Sequence, residues 1–585
     1  MKTTSAQATS LLLAGCLCLL PFLPPYHQQP VLSFFPEWLA AALGTAATLT
    51  LLAGRGVPAA SLPVPGRWLI AFAVLLAVQA AIGGQAYPQL PLLAAVYVLY
   101  AVLLIWLGAQ LAAALGIERV ATVLAGFLLV GALANSLAGI IQFYGRPALI
   151  EDVIAELHGN RAYGNIAHAN LYANYLALGE GALLFLWLRE RVRTAYALPA
   201  LALLVLGGAL SGSRGTLLYA LWYAALGFLA GRAQDSAEKR RLKLAVCGIA
   251  GAVLAAHFAV PGLNAALHLG PPGEAATDRL EQGEPRWQVW LIALRVFFSA
   301  PFGGVGTGEF AGAAFQSGLD PSLTTIGEVW MSPHNLPLHL LAETGLAGAF
   351  LALGGLCVWG WQTARRYRED PQPALWWILA ATGIELIHSL TEFPLWSAHF
   401  LGVTALLIGA SVGPGRLPAV PRESGIGAGA ACAALSAVLA IMLRDYVRLD
   451  VTRTTGTTVT LATAAQAHQD AETMRELTHG LMAPLAELWI LIGAPLDRSK
   501  LAEMLAMSER VARCWPANTI VVRRAIFLAF DGRVEKARNL LASALRTFPH
   551  QHNATILILE QAHAADPGAI EPLLVMARAA SGLRK

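Results

Sequence analysis

Long apolar runs separated by short polar connections dominate the chain as far as Leu443. The runs fall at about 9–24, 34–53, 68–85, 90–115, 120–143, 166–188, 196–210, 216–230, 243–260, 335–362, 374–390, 396–412 and 425–443. Most reach or approach the roughly 18 residues with which an α-helix crosses a bilayer. About thirteen transmembrane helices are therefore predicted. Leu13-Ala14-Gly15-Cys16 has the look of a lipoprotein cleavage site, but the apolar run continues to Leu23, so an uncleaved first span is expected.

Beyond Leu443 the pattern changes. From Asp445 to Lys585 the chain is polar, rich in alanine and leucine, and broken at Pro516, Pro549 and Pro567. Helical patterns at 517–530 and 533–547 pair around Asp531-Gly532, and those at 552–564 and 568–580 around Asp566-Pro567-Gly568. Pro516 and Pro549 stand 33 residues apart, close to the roughly 34-residue period of tetratricopeptide repeats. An irregular helical cap is the other reading. Two domains are expected: a transmembrane domain over 1–443, with a long loop at 261–333, and a helical tail over 444–585.

Composition agrees with this division. Hydrophobic residues make up 56% of the chain and charged residues 13%, against about 45–50% and about 25% in a soluble domain. The fold class is thus all-α, a polytopic integral membrane protein. The net charge of +4 carries little information about partners, because the basic residues are gathered into short loops, and no nucleic-acid partner is expected. The six cysteines form no CxxC pattern or disulfide framework.

The placement of those loops sets an orientation. Numbering the connections alternately puts Arg55, Arg67, Arg119, Arg189 to Arg193, Arg232 to Lys243, Arg365 to Arg368 and Arg416 to Arg422 on one side. The positive-inside rule makes that side cytoplasmic, with 24–33, 86–89, 144–165, 211–215, 261–333, 391–395 and the tail outside. Outer arginines then need another explanation. They are Arg214 in the turn Ser211-Gly212-Ser213-Arg214-Gly215, Arg286 and Arg295 in the long loop, and Arg146 and Arg161.

Several of these positions carry candidate chemistry. Ser332 suits an N-cap and Pro333 a first helical position, which puts His334 in the first turn of a helix beside Asn335. Partial positive charge there favours a neutral imidazole and a bound anion. His334 then reads as a general base near a phosphate or as a capping histidine. His339 lies roughly 140° further around the helix. Arg214 and Arg286 read as bidentate phosphate forks or as snorkelling anchors. Asn165, His168, Tyr172 and Tyr175 fall on one helical face, with Asn170 and Asn174 alongside, facing either a cavity or a neighbouring helix. Glu385, His388 and Glu392 form a further stripe, functional or a structural ion pair. No two aspartates stand two residues apart, so a DxD metal–phosphate motif is missing and no metal or other cofactor is expected.

At these residues the chain resembles the superfamily of bacterial O-antigen ligases (WaaL), O-antigen polymerases (Wzy) and PglL-type protein O-oligosaccharyltransferases. The shared core runs from about Val120 to Leu407 and includes the GSRG turn, RWQVW, PFGGVGTGEF and SPHNLPLHLLAETG. GNIAHANLYANY, HSLTEFPLWSAHFLG and the helical extension look like the PglL branch, although that branch usually has glutamine at the position of His168. The resemblance implies a GT-C-like membrane enzyme of the bacterial inner membrane. It would move a glycan from undecaprenyl pyrophosphate to a serine or threonine of a periplasmic or pilin-like protein, with no metal. It assigns the base to His334 and the pyrophosphate to Arg214 and Arg286, while Asn165, His168, Asn170, Asn335, His339, His388 and Glu392 are the residues expected to line a substrate cavity. O-antigen ligase, O-antigen polymerase and, from another class, a transporter of the lipid-linked glycan are the competing readings. The tail is expected to hold the acceptor protein.

Overall fold

The computed structural model describes residues 5–27, 30–54, 62–145, 148–230, 237–271, 286–317, 327–412, 423–457 and 464–582. Arg55, Arg146, Arg232, Arg416 and Arg422, used above for topology, lie outside the described residues, as do parts of the 261–333 loop. Each of the thirteen apolar runs has become a helix. They are α1 (Ser5–Leu17), α2 (Phe34–Ala53), α3 (Val64–Ile82), α4 (Gln89–Leu115), α5 (Ile117–Tyr144), α6 (Ala169–Leu188), α7 (Thr194–Leu210), α8 (Gly215–Ala230) and α9 (Ala237–Leu267). After two shorter helices, α10 (Arg286–Ser299) and α11 (Phe310–Gln316), follow α12 (Leu336–Glu369), α13 (Pro373–His388), α14 (Ala398–Ala410) and α15 (Glu423–Thr457). Among the described residues, nine helices are long and apolar enough to span a membrane by length and composition. No strand occurs among them.

The chain divides into two compact units. The first comprises Met1–Ala71, Tyr97–Gly283 and Leu351–Ala440. It is packed as membrane bundles are, with small residues where backbones approach. A Cβ at Gly108 of α4 would overlap the Leu406 carbonyl of α14, and one at Gly409 would overlap the Ile105 carbonyl. Tyr172 and Tyr175 lie over Gly139 and Gly131 of α5, fully buried, and Tyr175 Oη donates to the Cys18 carbonyl at 2.7 Å. These tyrosines join helices rather than line a cavity.

The second unit comprises Phe72–Val96, Glu284–Phe350 and Ile441–Lys585. Its helical part continues through α16 (Ala464–Leu477), α17 (Ala483–Gly493), α18 (Leu501–Cys514), α19 (Asn518–Phe530), α20 (Val534–Thr547), α21 (His552–His563) and α22 (Pro567–Gly582). The last four form the two hairpins read from the sequence, and α21 and α22 stack on α19 and α20. Phe527, Phe530, Leu541, Leu559 and Leu573 are buried in their shared core. That core also takes in Ala86 and Tyr87, from the turn between α3 and α4, and Phe315 of α11 packs on its edge.

Candidate functional site

Two polar constellations emerge, one in each unit. In the first unit the SGSRG turn links α7 to α8. Gly212 adopts φ +56°, a left-handed conformation that costs glycine little. Ser211 Oγ accepts from Ser213 N at 3.1 Å, which tightens the turn. Arg214 is half-buried immediately before the N-terminus of α8, so its guanidinium adds to the positive end of that helix. Thr216 Oγ1 donates to the Ser213 carbonyl at 2.8 Å. Its one proton is used there, so His257 Nδ1, 3.3 Å away, is the donor in that contact. A cavity of about 420 Å³ opens beside the turn, lined by Leu210, Gly212, Asn160, Asn264 and His268 among others.

Arg161 ties this turn to the rest of the site. Its Nε donates to the Ser211 carbonyl and its Nη2 to Asn170 Oδ1, both at 2.7 Å. Asn170 Nδ2 in turn donates to Glu392 Oε1 at 2.7 Å. Glu392 lies beyond the end of α13, yet its N–H still reaches the His388 carbonyl at 2.8 Å. His388 Nδ1 is hydrogen-bonded to the hydroxyl of Tyr219 on α8. Asn170, His388 and Glu392, three of the expected cavity residues, are thus brought together, and Arg161 is the residue that joins them to the Arg214 turn. It was noted in the sequence as one more outer arginine. No spacing marked it out.

Asn165 and His168 behave differently. The stripe read from Asn165 to Tyr175 as one helical face is corrected: α6 begins at Ala169, after Gly164 and Ala167 take left-handed backbone at φ +53° and +59°. Asn165 therefore lies outside the helix. Its side chain bonds the Leu23 and Val153 carbonyls at 2.8 Å and the Ala155 N–H at 3.0 Å. His168 is the N-cap, its Nδ1 accepting from Leu171 N at 3.3 Å.

In the second unit the placement of His334 is also corrected. Helix α12 starts at Leu336, not at Pro333, and Asn335 Oδ1 accepts from Leu338 N at 3.1 Å as an N-cap does. His334 precedes the helix with φ +50°, a region costly for a residue with a side chain. Three groups hold it there. Ser332 Oγ accepts from its N–H at 3.1 Å, Trp290 Nε1 donates to the Pro333 carbonyl at 3.0 Å, and the Trp330 ring meets its imidazole edge-on at 4.9 Å. Pro337 accounts for the shifted start, since it has no N–H to give the Pro333 carbonyl four residues back, and Trp290 donates to that carbonyl instead. Arg286 and Trp290 are i, i+4 on α10, so they share a face about one turn apart. Arg286 thereby stands near the residue that fixes His334.

One turn into α12, His339 Nε2 meets Glu343 Oε2 at 3.0 Å, both side chains buried. Glu343 Oε1 also accepts from Phe310 N at 3.2 Å. The PFGGVGTGEF loop docks here through Val305 N to Ala342 O at 2.9 Å, Gly306 N to Glu343 O at 3.1 Å and Leu346 N to Pro301 O at 2.8 Å. Gly345, at φ +64°, kinks α12 at this contact. Glu343 was not singled out in the sequence.

Residues 175–353 match a family model described as O-antigen ligase, and residues 376–560 one described as virulence factor membrane-bound polymerase, C-terminal. Two models, of O-antigen ligases and of membrane-bound polymerases, thus match successive parts of the chain. Arg214, Arg286, His334 and His339 fall within the ligase match, and His388, Glu392 and most of the helical tail within the polymerase match. The chain is also similar to a general O-oligosaccharyltransferase of Acinetobacter baylyi, 27% identical over 411 residues that cover 68% of this chain and 69% of the relative.

Proposed function

We propose that this protein is an O-linked oligosaccharyltransferase. It takes a preassembled glycan from undecaprenyl pyrophosphate at the outer face of the bacterial inner membrane and joins it to a serine or threonine hydroxyl of a periplasmic or pilin-like protein. Similarity to the Acinetobacter enzyme supports the reaction class. The observation that carries the residue assignment is the strained backbone of His334, held by Ser332, Trp290 and Trp330.

His334 removes the proton of the acceptor hydroxyl as its oxygen attacks the anomeric carbon. The bond between that carbon and the pyrophosphate oxygen breaks, and negative charge collects on the leaving group. Arg214 and Arg286 bind and stabilise that charge, the largest electrostatic demand of the step. Arginine does here what a divalent ion does in DxD enzymes, so the reaction is metal-independent. Asn170, His388 and Glu392 are the substrate residues of the first unit, and Asn335 and His339 those of the second. Asn165 and His168 shape the entry to α6.

The test is direct. Purified protein is incubated with lipid-linked oligosaccharide and either a periplasmic acceptor protein or lipid A-core. Mass spectrometry should find the intact glycan on a serine or threonine. Transfer to lipid A-core alone would make the protein an O-antigen ligase instead.

A further inference from the structure

Glu309 is a buried carboxylate that the proposed chemistry leaves unused. It closes the PFGGVGTGEF loop and is 6% exposed. Its Oε1 accepts from Ala86 N at 2.6 Å, in the turn between α3 and α4. Its Oε2 accepts from Arg513 of α18, from Nε at 3.0 Å and Nη2 at 2.5 Å. Arg513 Nη2 also donates to the Gly84 carbonyl at 2.5 Å. Three segments far apart in sequence therefore meet on one buried carboxylate.

The next residue carries the link onward. Phe310 N donates to Glu343, which pairs with His339, and the Phe310 ring lies 5.9 Å from the His339 ring. Helix α11 approaches α18 so closely that a Cβ at Gly312 would overlap the Arg513 carbonyl. A second buried carboxylate strengthens the same junction: Glu487 of α17 accepts from Tyr87 Oη at 2.6 Å and from Arg510 Nη2 at 2.6 Å. The tail's own core is completed by Ala86 and Tyr87.

We propose that the helical tail is a positioning element of the transfer site. Through the Arg513–Glu309 pair it holds the PFGGVGTGEF loop, and through Phe310 and Glu343 it sets the first turns of α12, which carry His339 and directly follow His334. Neither Arg513 nor Glu309 touches substrate. Removing the guanidinium leaves a buried carboxylate uncompensated, and that carboxylate must move toward water. Phe310 and Glu343 then lose their register. The tail thus governs turnover itself, in addition to any hold on the acceptor. This rests on the oligosaccharyltransferase reading for its activity assay, but not for its structural readout.

The experiment uses the full-length protein and three variants, Arg513→Met, Arg513→Lys and Glu309→Gln. Hydrogen exchange is followed in peptides covering 301–310 and 339–346, and transfer kinetics with donor and acceptor are measured alongside. Arg513→Met should speed exchange in both peptides and lower kcat at least about tenfold, with the acceptor KM little changed. Arg513→Lys should recover part of both effects. Combining Arg513→Met with Glu309→Gln should cost less than the sum of the two, as for residues that act as one pair. If Arg513→Met raises only the acceptor KM, or leaves exchange at 301–310 unchanged, the proposal is wrong. If the wild type transfers no glycan, the functional reading fails while the exchange data still judge the linkage. Should Arg513→Met fail to fold, Arg513→Lys and Glu309→Gln carry the same comparison.

Discussion

Trp290 Nε1 donates a hydrogen bond to the carbonyl of Pro333 at 3.0 Å. The bond ties the arginine-bearing helix α10 to the residue before His334, and so fixes two parts of the proposed chemistry within one unit. Replacing Trp290 with phenylalanine keeps an aromatic ring and removes the donor. A net contribution of about 1 kcal/mol and a small displacement of His334 predict a fall in kcat of about five- to tenfold. The donor KM should move little. Unchanged kcat in steady-state transfer would mean that the bond does not position the base.

The two arginines should respond to lysine in a characteristic way. A lysine ammonium is a point charge and cannot reproduce the fork that meets two phosphate oxygens. Arg286→Lys is expected within about threefold of Arg286→Ala in kcat/KM, and Arg214→Lys likewise relative to Arg214→Ala. Near-normal kcat/KM in either lysine variant would reduce that arginine to a membrane anchor.

Gly345 offers a test of the loop contact. Its φ is +64°, and a Cβ there would overlap the backbone carbonyl of Phe302. Gly345→Ala combines a left-handed alanine with a collision that no flexible side chain can relieve, which together cost about 2–4 kcal/mol. Thermal unfolding in detergent should show a lowered midpoint, with transfer reduced as well. A midpoint equal to wild type would show that the PFGG turn does not need this close approach.

Much of the fold was legible because bilayer thickness forces long apolar runs, and these survive any detail of packing. The helix starts were less so. Ser332-Pro333 and Asn335-Leu336-Pro337 both offer a cap followed by proline, and Pro337, with no N–H for the Pro333 carbonyl, interrupts the earlier start. Asn165 was misread for a similar reason, since the left-handed turn at Gly164 and Ala167 interrupts a spacing that looks helical on paper. Arg214, Arg286 and His334 are proposed because the expected topology leaves outer arginines unexplained and because their motifs resemble a known superfamily. Glu309, Glu343 and Arg513 could not, because single charges acquire meaning only when distant segments converge on them.

The metal prediction follows from the missing DxD motif. Transfer should persist in excess chelator, and added magnesium or manganese should change the rate by less than about twofold, since no bound ion has to serve as Lewis acid. If chelation stops the reaction and a divalent ion restores it, the arginines are not the main stabilisers of the leaving pyrophosphate.

The central claim, that His334 is the base, is tested most directly by single-turnover transfer with His334→Ala. Purified variant, wild type and His339→Ala are compared with the same lipid-linked donor and acceptor protein, and donor binding is measured in parallel. Loss of a general base lowers such rates about 10²–10⁴-fold, and that loss is expected for His334→Ala with folding and donor affinity retained. A His334→Ala protein that transfers glycan at close to the wild-type rate would contradict the assignment.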